Sequence, residues 1–446
     1  MYYSDEAGDE LKFDIEMRLF FLAIFSIALP TVYSVGVNED FTWTRISYVW
    51  PNDRGNRVSR QSKGSTNGVN GERENQVENL DTSNSAPPSI DYQYVNNIPM
   101  GANVWKNKLF ITVPRRRLGV PSTLNYIRLD SSQKHNVPLI PYPNWNTNLY
   151  PDTSGRNENF CSVYRVGIDP CDRLWFVDTG TIEIPGNRTQ VIPTTLIIMN
   201  LQTDRVIQRY VIPQDQLRTT TTLASVTIDV TKDTCDNAFA YLPDLGGYGL
   251  IVYSLKENRS WRVTHNYFYL ESTSGEFQIA GHNFQWNDGV FSVELTDTQP
   301  DGYRDMFFHS MAGTHMYKVS TRILRNETLA TRSYHETDFK EVGDRGPRSQ
   351  TSSADLYKPT GTLFLGLVNQ NALGCWNIKQ PLSTISIVQK DDQKMIYPSD
   401  VKIVEDKVYL LTNTMPEFLY GRLNYDQVNF RVWSNRVDDA INGTRC

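Results

Sequence analysis

One short pattern recurs six times along this chain, and it limits the fold more than any other feature. The copies are Lys108-Leu-Phe-Ile-Thr-Val113, Arg173-Leu-Trp-Phe-Val-Asp178, Ala238-Phe-Ala-Tyr-Leu242, Asp305-Met-Phe-Phe-His-Ser310, Thr362-Leu-Phe-Leu-Gly-Leu367 and Lys407-Val-Tyr-Leu-Leu-Thr412. Taken from Phe110, Trp175, Phe239, Phe307, Phe364 and Tyr409, the steps are 65, 64, 68, 57 and 45 residues. Aromatic and β-branched residues fit a pleated, buried surface, so each copy reads as a strand. Acidic residues and turns precede several copies, at Asp169, Asp229, Asp355 and Asp400. Further hairpins follow, at Thr195–Asn200 with Val206–Ile212, Gly249–Leu255 with Ser260–Val263, and His315–Val319. Such a unit holds about four strands, and a parallel solenoid would keep a shorter and stricter period. The expected fold is therefore all-β: a six-bladed β-propeller with four-stranded antiparallel blades around a central channel, over residues 90–437. The segment Phe41–Trp50 reads as one strand, within 35–50, that completes the last blade and removes exposed sheet edges. Residues 438–446 form a C-terminal tail.

Two segments do not share this pattern. Residues 1–34 contain an apolar run from Leu19 to Leu29, preceded by Arg18 and ending in Val32-Tyr33-Ser34. That reads as a secretory signal, with Met17 as an alternative start. These residues carry six acids and two bases, so their removal takes the net charge from −6 to −2. A nearly neutral chain offers no electrostatic footprint for nucleic acid, and the mature form is expected to be a monomer off the membrane. Residues 51–89 are rich in Asn, Ser, Gly, Arg and Glu and read as a disordered polar insertion.

A secretory route agrees with four glycosylation sequons, at Asn187, Asn258, Asn326 and Asn442. Five cysteines follow the leader, none in a CxxC pair, so disulfides are expected rather than zinc or redox chemistry. Cys171 and Cys235 precede equivalent strands and are the expected pair. Cys446 is the expected unpaired thiol.

No GxSxG, HExxH or phosphate-loop motif occurs. His309 and His315 lack a third ligand at a usual spacing, so neither a metal nor another cofactor is expected. The run Arg115-Arg116-Arg117 reads as a solvated loop, with anion or glycan contact as its sharper alternative. Asp178 and Asp244 hold equivalent positions at strand ends, as do Asn369 and Asn413. They read either as side chains at one mouth of the channel or as turn caps.

Longer motifs then resemble a known family. They include Gly119-Val-Pro-Ser-Thr-Leu-Asn-Tyr126, Asp169-Pro-Cys-Asp-Arg-Leu-Trp-Phe-Val-Asp-Thr-Gly180, Asn258-Arg-Ser-Trp-Arg262 and Phe284-Gln-Trp-Asn-Asp-Gly-Val-Phe291. In this order they resemble the insect yellow / major royal jelly protein family. The resemblance implies a secreted six-bladed propeller and three functional classes. The first is an enzyme of melanin formation that isomerises or decarboxylates dopachrome to a dihydroxyindole. The second is a non-catalytic binder of a biogenic amine or catechol. The third is a structural pigmentation protein of cuticle or eggshell. For the enzyme, His309 or Asp178 is the expected base, Arg165 the carboxylate ligand, and Tyr241, Asn369 and Asn413 the orienting groups. For the binder, Phe308 or Phe418 supplies an aromatic wall and Asp178 or Asp244 the counter-charge.

Overall fold

The computed structural model describes residues 36–51, 90–151, 158–184 and 186–446. The leader at 1–34 and, apart from Pro51, the insertion at 51–89 lie outside them. Six four-stranded antiparallel sheets follow one another along the chain. Blade 1 is built from Gly101–Trp105, Lys108–Thr112, Leu124–Arg128 and Ile140–Pro141. Blade 2 comprises Val163–Asp169, Arg173–Asp178, Thr195–Asn200 and Arg205–Val211. Blade 3 comprises Thr227–Asp229, Phe239–Asp244, Gly249–Ser254 and Arg259–Val263. Blade 4 comprises Val290–Leu295, Asp305–Ser310, His315–Ser320 and Phe339–Asp344. Blade 5 comprises Thr351–Tyr357, Thr362–Leu367, Ala372–Asn377 and Ser386–Lys390. Blade 6 joins Pro398–Val404, Lys407–Thr412 and Phe430–Arg436 to the early strand Asn38–Trp43. The first strands of neighbouring blades touch all the way round, so the ring closes about an axis lined by those six strands.

All six copies of the sequence pattern are second strands. Each is hydrogen-bonded on both sides: Trp175, for example, lies opposite Gly167 on one flank and Ile198 on the other. Both faces of these strands are also packed between neighbouring blades, which explains their nearly unbroken apolar character. The core is correspondingly divided into layers between blades. Phe110, Val163, Phe176 and Ile197 fill the gap between blades 1 and 2. Trp175, Leu196, Leu242 and Tyr253 fill the next, and Phe307, Trp376 and Leu363 that between blades 4 and 5.

The closing strand is shorter than the sequence pattern suggested. Asn38–Trp43 pairs with Phe430–Arg436, with Phe41 opposite Val432 and Trp43 opposite Phe430. The chain then leaves the sheet: Tyr48 bridges Leu139 of the blade 1 periphery, and Tyr48 Oη donates to Asn97 Oδ1 at 2.7 Å.

Cys171 and Cys235 are bonded, as expected, and tie blade 2 to blade 3. Cys446, expected to be unpaired, is instead bonded to Cys375. The short helix Val437–Ala440 turns the tail back over blade 5, where Asn377 Nδ2 donates to the Cys446 carbonyl at 3.0 Å. The free thiol is Cys161, buried at the entry to blade 2 and pushed up to about 12 mainly by that burial.

Candidate functional site

Side chains from five blades converge on a partly open cavity of about 550 Å³ at one end of the channel. Its walls include Trp286, Phe291, Tyr248, Tyr397 and Tyr420, with Arg116, Arg165, Arg188 and Asp288 as its charged groups. Aromatic walls with a few convergent polar groups are the usual make-up of a small-molecule site.

Asp288 is held there by its neighbours in sequence. Gly289 N donates to Leu245 O at 2.8 Å, and the Asp288 carbonyl accepts from Ala312 N at 3.0 Å. A Cβ at Gly289 would meet the Phe268 carbonyl at 2.7 Å and the Tyr248 ring at 2.9 Å, so glycine is needed for this close approach. The Asp288 carboxyl accepts no hydrogen bond among the described residues. Burial pushes it up to about 6, against the opposing pull of Arg116. A carboxyl tuned close to neutrality and unencumbered by partners is suited to proton transfer.

Three guanidinium groups face the same space. Arg188 is tied down: it donates to Thr221 O and, at 3.3 Å, to Thr220 O and Thr222 Oγ1. Arg116 keeps a buried Nε with no hydrogen-bond partner. Arg165 is 3 % exposed and lies across the axis. From blade 2 it donates to Ser399 O in blade 6, places Nε 3.7 Å from Asp400 Oδ1, and stacks 5.3 Å from the Phe291 ring in blade 4. Its Nη1 remains unpartnered. Arg165 thereby forms a floor, and beyond it a second chamber of about 400 Å³ opens toward the other end of the channel, lined by Asn103, Glu294, Asp355 and Lys402 among others.

Of the residues singled out from sequence, Arg165 and, from the triple-arginine run, Arg116 line the cavity. His309 is fully buried in the second strand of blade 4, and burial holds its imidazole well below the usual range. Asp178 is buried too. Its carboxylate is saturated by the backbone N–H groups of Cys161 at 2.6 Å, Ser162 at 2.8 Å and Gly180 at 3.0 Å. Asp244 accepts from Thr221, Thr222, Gly247 and Arg262. Asn369 pins Gln278 and Glu276, while Asn413 pins Pro99 and Met415. These four strand-end side chains cap and fasten the loops that carry the cavity. Tyr241 donates to Asp229 at 3.0 Å in the blade interior, and Phe308 packs against Phe268 and Tyr317. Phe418 lies behind the wall, with Arg117 stacked 4.1 Å over its ring.

The triple-arginine run is not a uniformly solvated loop. Arg115 is buried and donates to five backbone carbonyls, among them Val120 O and Phe160 O at 2.9 Å. Arg116 points into the cavity, and Arg117 donates to Phe418 O at 2.8 Å. Asp288 is the functional candidate that sequence reasoning missed, and its available signal was the Trp286-Asn-Asp-Gly289 motif. The anion-contact reading of the run covered Arg116 without separating it from its two neighbours. Among the described residues, no group of three or more His, Cys, Asp or Glu side chains is placed to hold a metal ion.

The major royal jelly protein family model matches residues 161–446. The chain is 41% identical over 368 residues to L-dopachrome tautomerase yellow-f of Drosophila melanogaster, covering 82% of this chain and 84% of that protein. It is 36% identical over 430 residues to Protein yellow of Drosophila yakuba, covering 95% and 73%, and equally so to Protein yellow of Drosophila melanogaster.

Proposed function

This chain belongs to the yellow / major royal jelly protein family, and on that footing we propose that it is a secreted pigmentation-pathway protein that converts dopachrome to a dihydroxyindole in the arginine-lined cavity. The observation that carries this reading is the pairing of one unencumbered carboxyl, Asp288, with three guanidinium groups inside an aromatic pocket.

Dopachrome is a planar, electrophilic indoline quinone with a carboxylate on C2. Arg116 and the free Nη1 of Arg165 receive that carboxylate. Trp286 and Tyr248 flank the ring plane, and tyrosine hydroxyls such as that of Tyr397 donate toward the quinone oxygens. Asp288 takes the proton on C2, and a second proton leaves C3. Of the two electron pairs released, one forms the C2–C3 double bond and the other moves through the ring to the quinone, whose two oxygens take up two protons to become hydroxyls, so no external oxidant or reductant enters. In the decarboxylating variant, carbon dioxide leaves C2 in place of the proton there, and solvent supplies the second hydroxyl proton. Because the substrate is already reactive, one well-placed base and fixed dipoles suffice.

The amine-binding alternative loses the two counter-charges expected for it: Asp178 and Asp244 are consumed by loop hydrogen bonds, which leaves Asp288 as a single carboxyl among three guanidinium groups. Two disulfides and four exposed sequon asparagines support passage through an oxidising, glycosylating compartment.

The test is loss of the quinone's visible absorbance with purified protein, measured against the spontaneous rate in buffer. Acceleration that disappears in Asp288→Asn supports the reading. A rate equal to buffer for the folded wild-type protein refutes it.

A further inference from the structure

Two excursions from the blades meet over the cavity. One is a hairpin of Glu276–Ile279 and His282–Gln285, inserted between blades 3 and 4. The other is the helix Met415–Tyr420, inserted between the second and third strands of blade 6. Trp286 closes the first, Tyr420 ends the second, and both line the cavity. They meet through side chains. His282 Nε2 lies 2.7 Å from Glu417 Oε2, Trp286 Nε1 donates to Tyr420 Oη at 2.8 Å, and the Phe284 and Tyr420 rings stand 4.8 Å apart. Among the described residues no backbone hydrogen bond joins the two. Neither belongs to a blade, so their separation breaks no blade ladder.

The two sides are anchored unequally. Phe277 and Ile279 are buried in the core, and the hairpin backbone is fastened to blade 5 through Asn369 and Arg348. The helix is anchored at its start by buried Met415 and Phe418, and by Arg117 on the Phe418 carbonyl. Its last turn has weaker ties: Tyr420 is 48 % exposed while also forming part of the cavity wall. A residue that faces solvent on one side and the cavity on the other stands at its rim. Gly421 follows it, and a Cβ there would run into the Glu417 carboxylate, so the glycine leaves room for that carboxylate to reach His282.

We propose that hairpin and helix form a clasp over the cavity, fastened by His282–Glu417 and Trp286–Tyr420, and that ligand enters when the last helical turn swings away from the fixed hairpin. This rests on the cavity being the ligand site proposed above, but not on the identity of its ligand. Two part-exposed side-chain hydrogen bonds are weak, so such a fastening opens readily and still keeps the closed form dominant.

The test closes the clasp covalently. In His282→Cys/Glu417→Cys, a short bis-methanethiosulfonate bridges the two positions and is removed by mild reductant. Cys161 is buried and its thiol held up at about 12, so it stays unmodified. The readout is phenylglyoxal modification of Arg116, followed by peptide mass, together with dopachrome turnover. Bridging should slow Arg116 modification about tenfold, and reduction should restore it. Separately, Gly421→Ala, which displaces the Glu417 carboxylate while keeping every clasp residue, should speed modification roughly threefold. Equal modification rates in bridged and unbridged protein overturn the clasp, as does an unchanged rate in Gly421→Ala. Slowed modification in a protein that never turns over dopachrome keeps the clasp and rejects the proposed reaction.

Discussion

Replacing Glu294 by Gln should stabilise the protein, and only above mildly acidic pH. Glu294 sits on the channel-lining strand of blade 4, 2 % exposed, with no hydrogen bond of ordinary geometry to either carboxyl oxygen and only the Ser292 side chain offsetting its burial at close range. Burial pushes its carboxyl from an ordinary 4.5 to about 8. Each unit of such a rise corresponds to about 1.4 kcal/mol, so the full rise corresponds to about 5 kcal/mol. The sign follows from which state ionises first. The unfolded chain loses this proton near pH 4.5 and the folded chain only near pH 8. Stability is therefore fully present below pH 4.5 and falls steadily up to pH 8. Glutamine has nearly the same shape and no charge, so it removes the pH-dependent part. Its new amide donors lack partners and return roughly 1–3 kcal/mol of that gain. The net expectation at pH 8 is a variant more stable by about 2–4 kcal/mol, shrinking to nothing or reversing near pH 4.5. Urea unfolding of both proteins at acidic, neutral and mildly alkaline pH measures it. A difference that does not change with pH, or a variant less stable than wild type at pH 8, would refute the account of Glu294 as a neutral buried acid.

Three further outcomes follow from the geometry. Asp288→Asn should lower turnover about 10²–10⁴-fold. The wild-type rate should climb as pH rises through about 6, where Asp288 loses its proton, and the variant should lack that limb in a pH–rate profile. Arg116→Gln should raise KM for the carboxylated substrate by about tenfold or more while kcat changes less, read from steady-state kinetics with the ionic strength held fixed. Cys446→Ser should cost about 2–4 kcal/mol, because its bond to Cys375 closes a loop of 71 residues, whereas Cys161→Ser should change the unfolding midpoint little.

The readable parts of this chain share one physical origin. A second strand packed on both faces between neighbouring blades must be apolar along its length, and six such strands leave six visible marks in sequence, from Phe110 to Tyr409. Their spacing is the blade count. The Cys171–Cys235 pair was legible for the same reason, since both residues stand at equivalent places in successive repeats. The Cys375–Cys446 pair was not, because no repeat position predicts where a tail folds back.

The site was far less legible. Asp178, Asp244, Asn369 and Asn413 hold matching strand-end positions, and repetition made them candidates. But repeated positions do repeated structural work, and these side chains fasten loops. The cavity instead draws on residues without counterparts in other blades: Asp288 beyond an inserted hairpin, Arg116 in a loop, Tyr420 on an inserted helix. Neighbouring arginines show the same limit. Arg115, Arg116 and Arg117 are adjacent and chemically identical, yet one fills the interior with its five donors, one faces the cavity and one stacks on Phe418.

From the sequence alone came the all-β class, the six blades, the family resemblance and the strands that build the ring, because local hydrophobic pattern and repeat spacing determine those. Tertiary structure alone decided that Arg165 crosses the axis to divide the channel, that Asp288 is the unencumbered carboxyl while Asp178 is spent on backbone amides, and which cysteine is free. Burial and hydrogen bonding by residues far apart in the chain set each of these, and closing the ring is what brings those residues together.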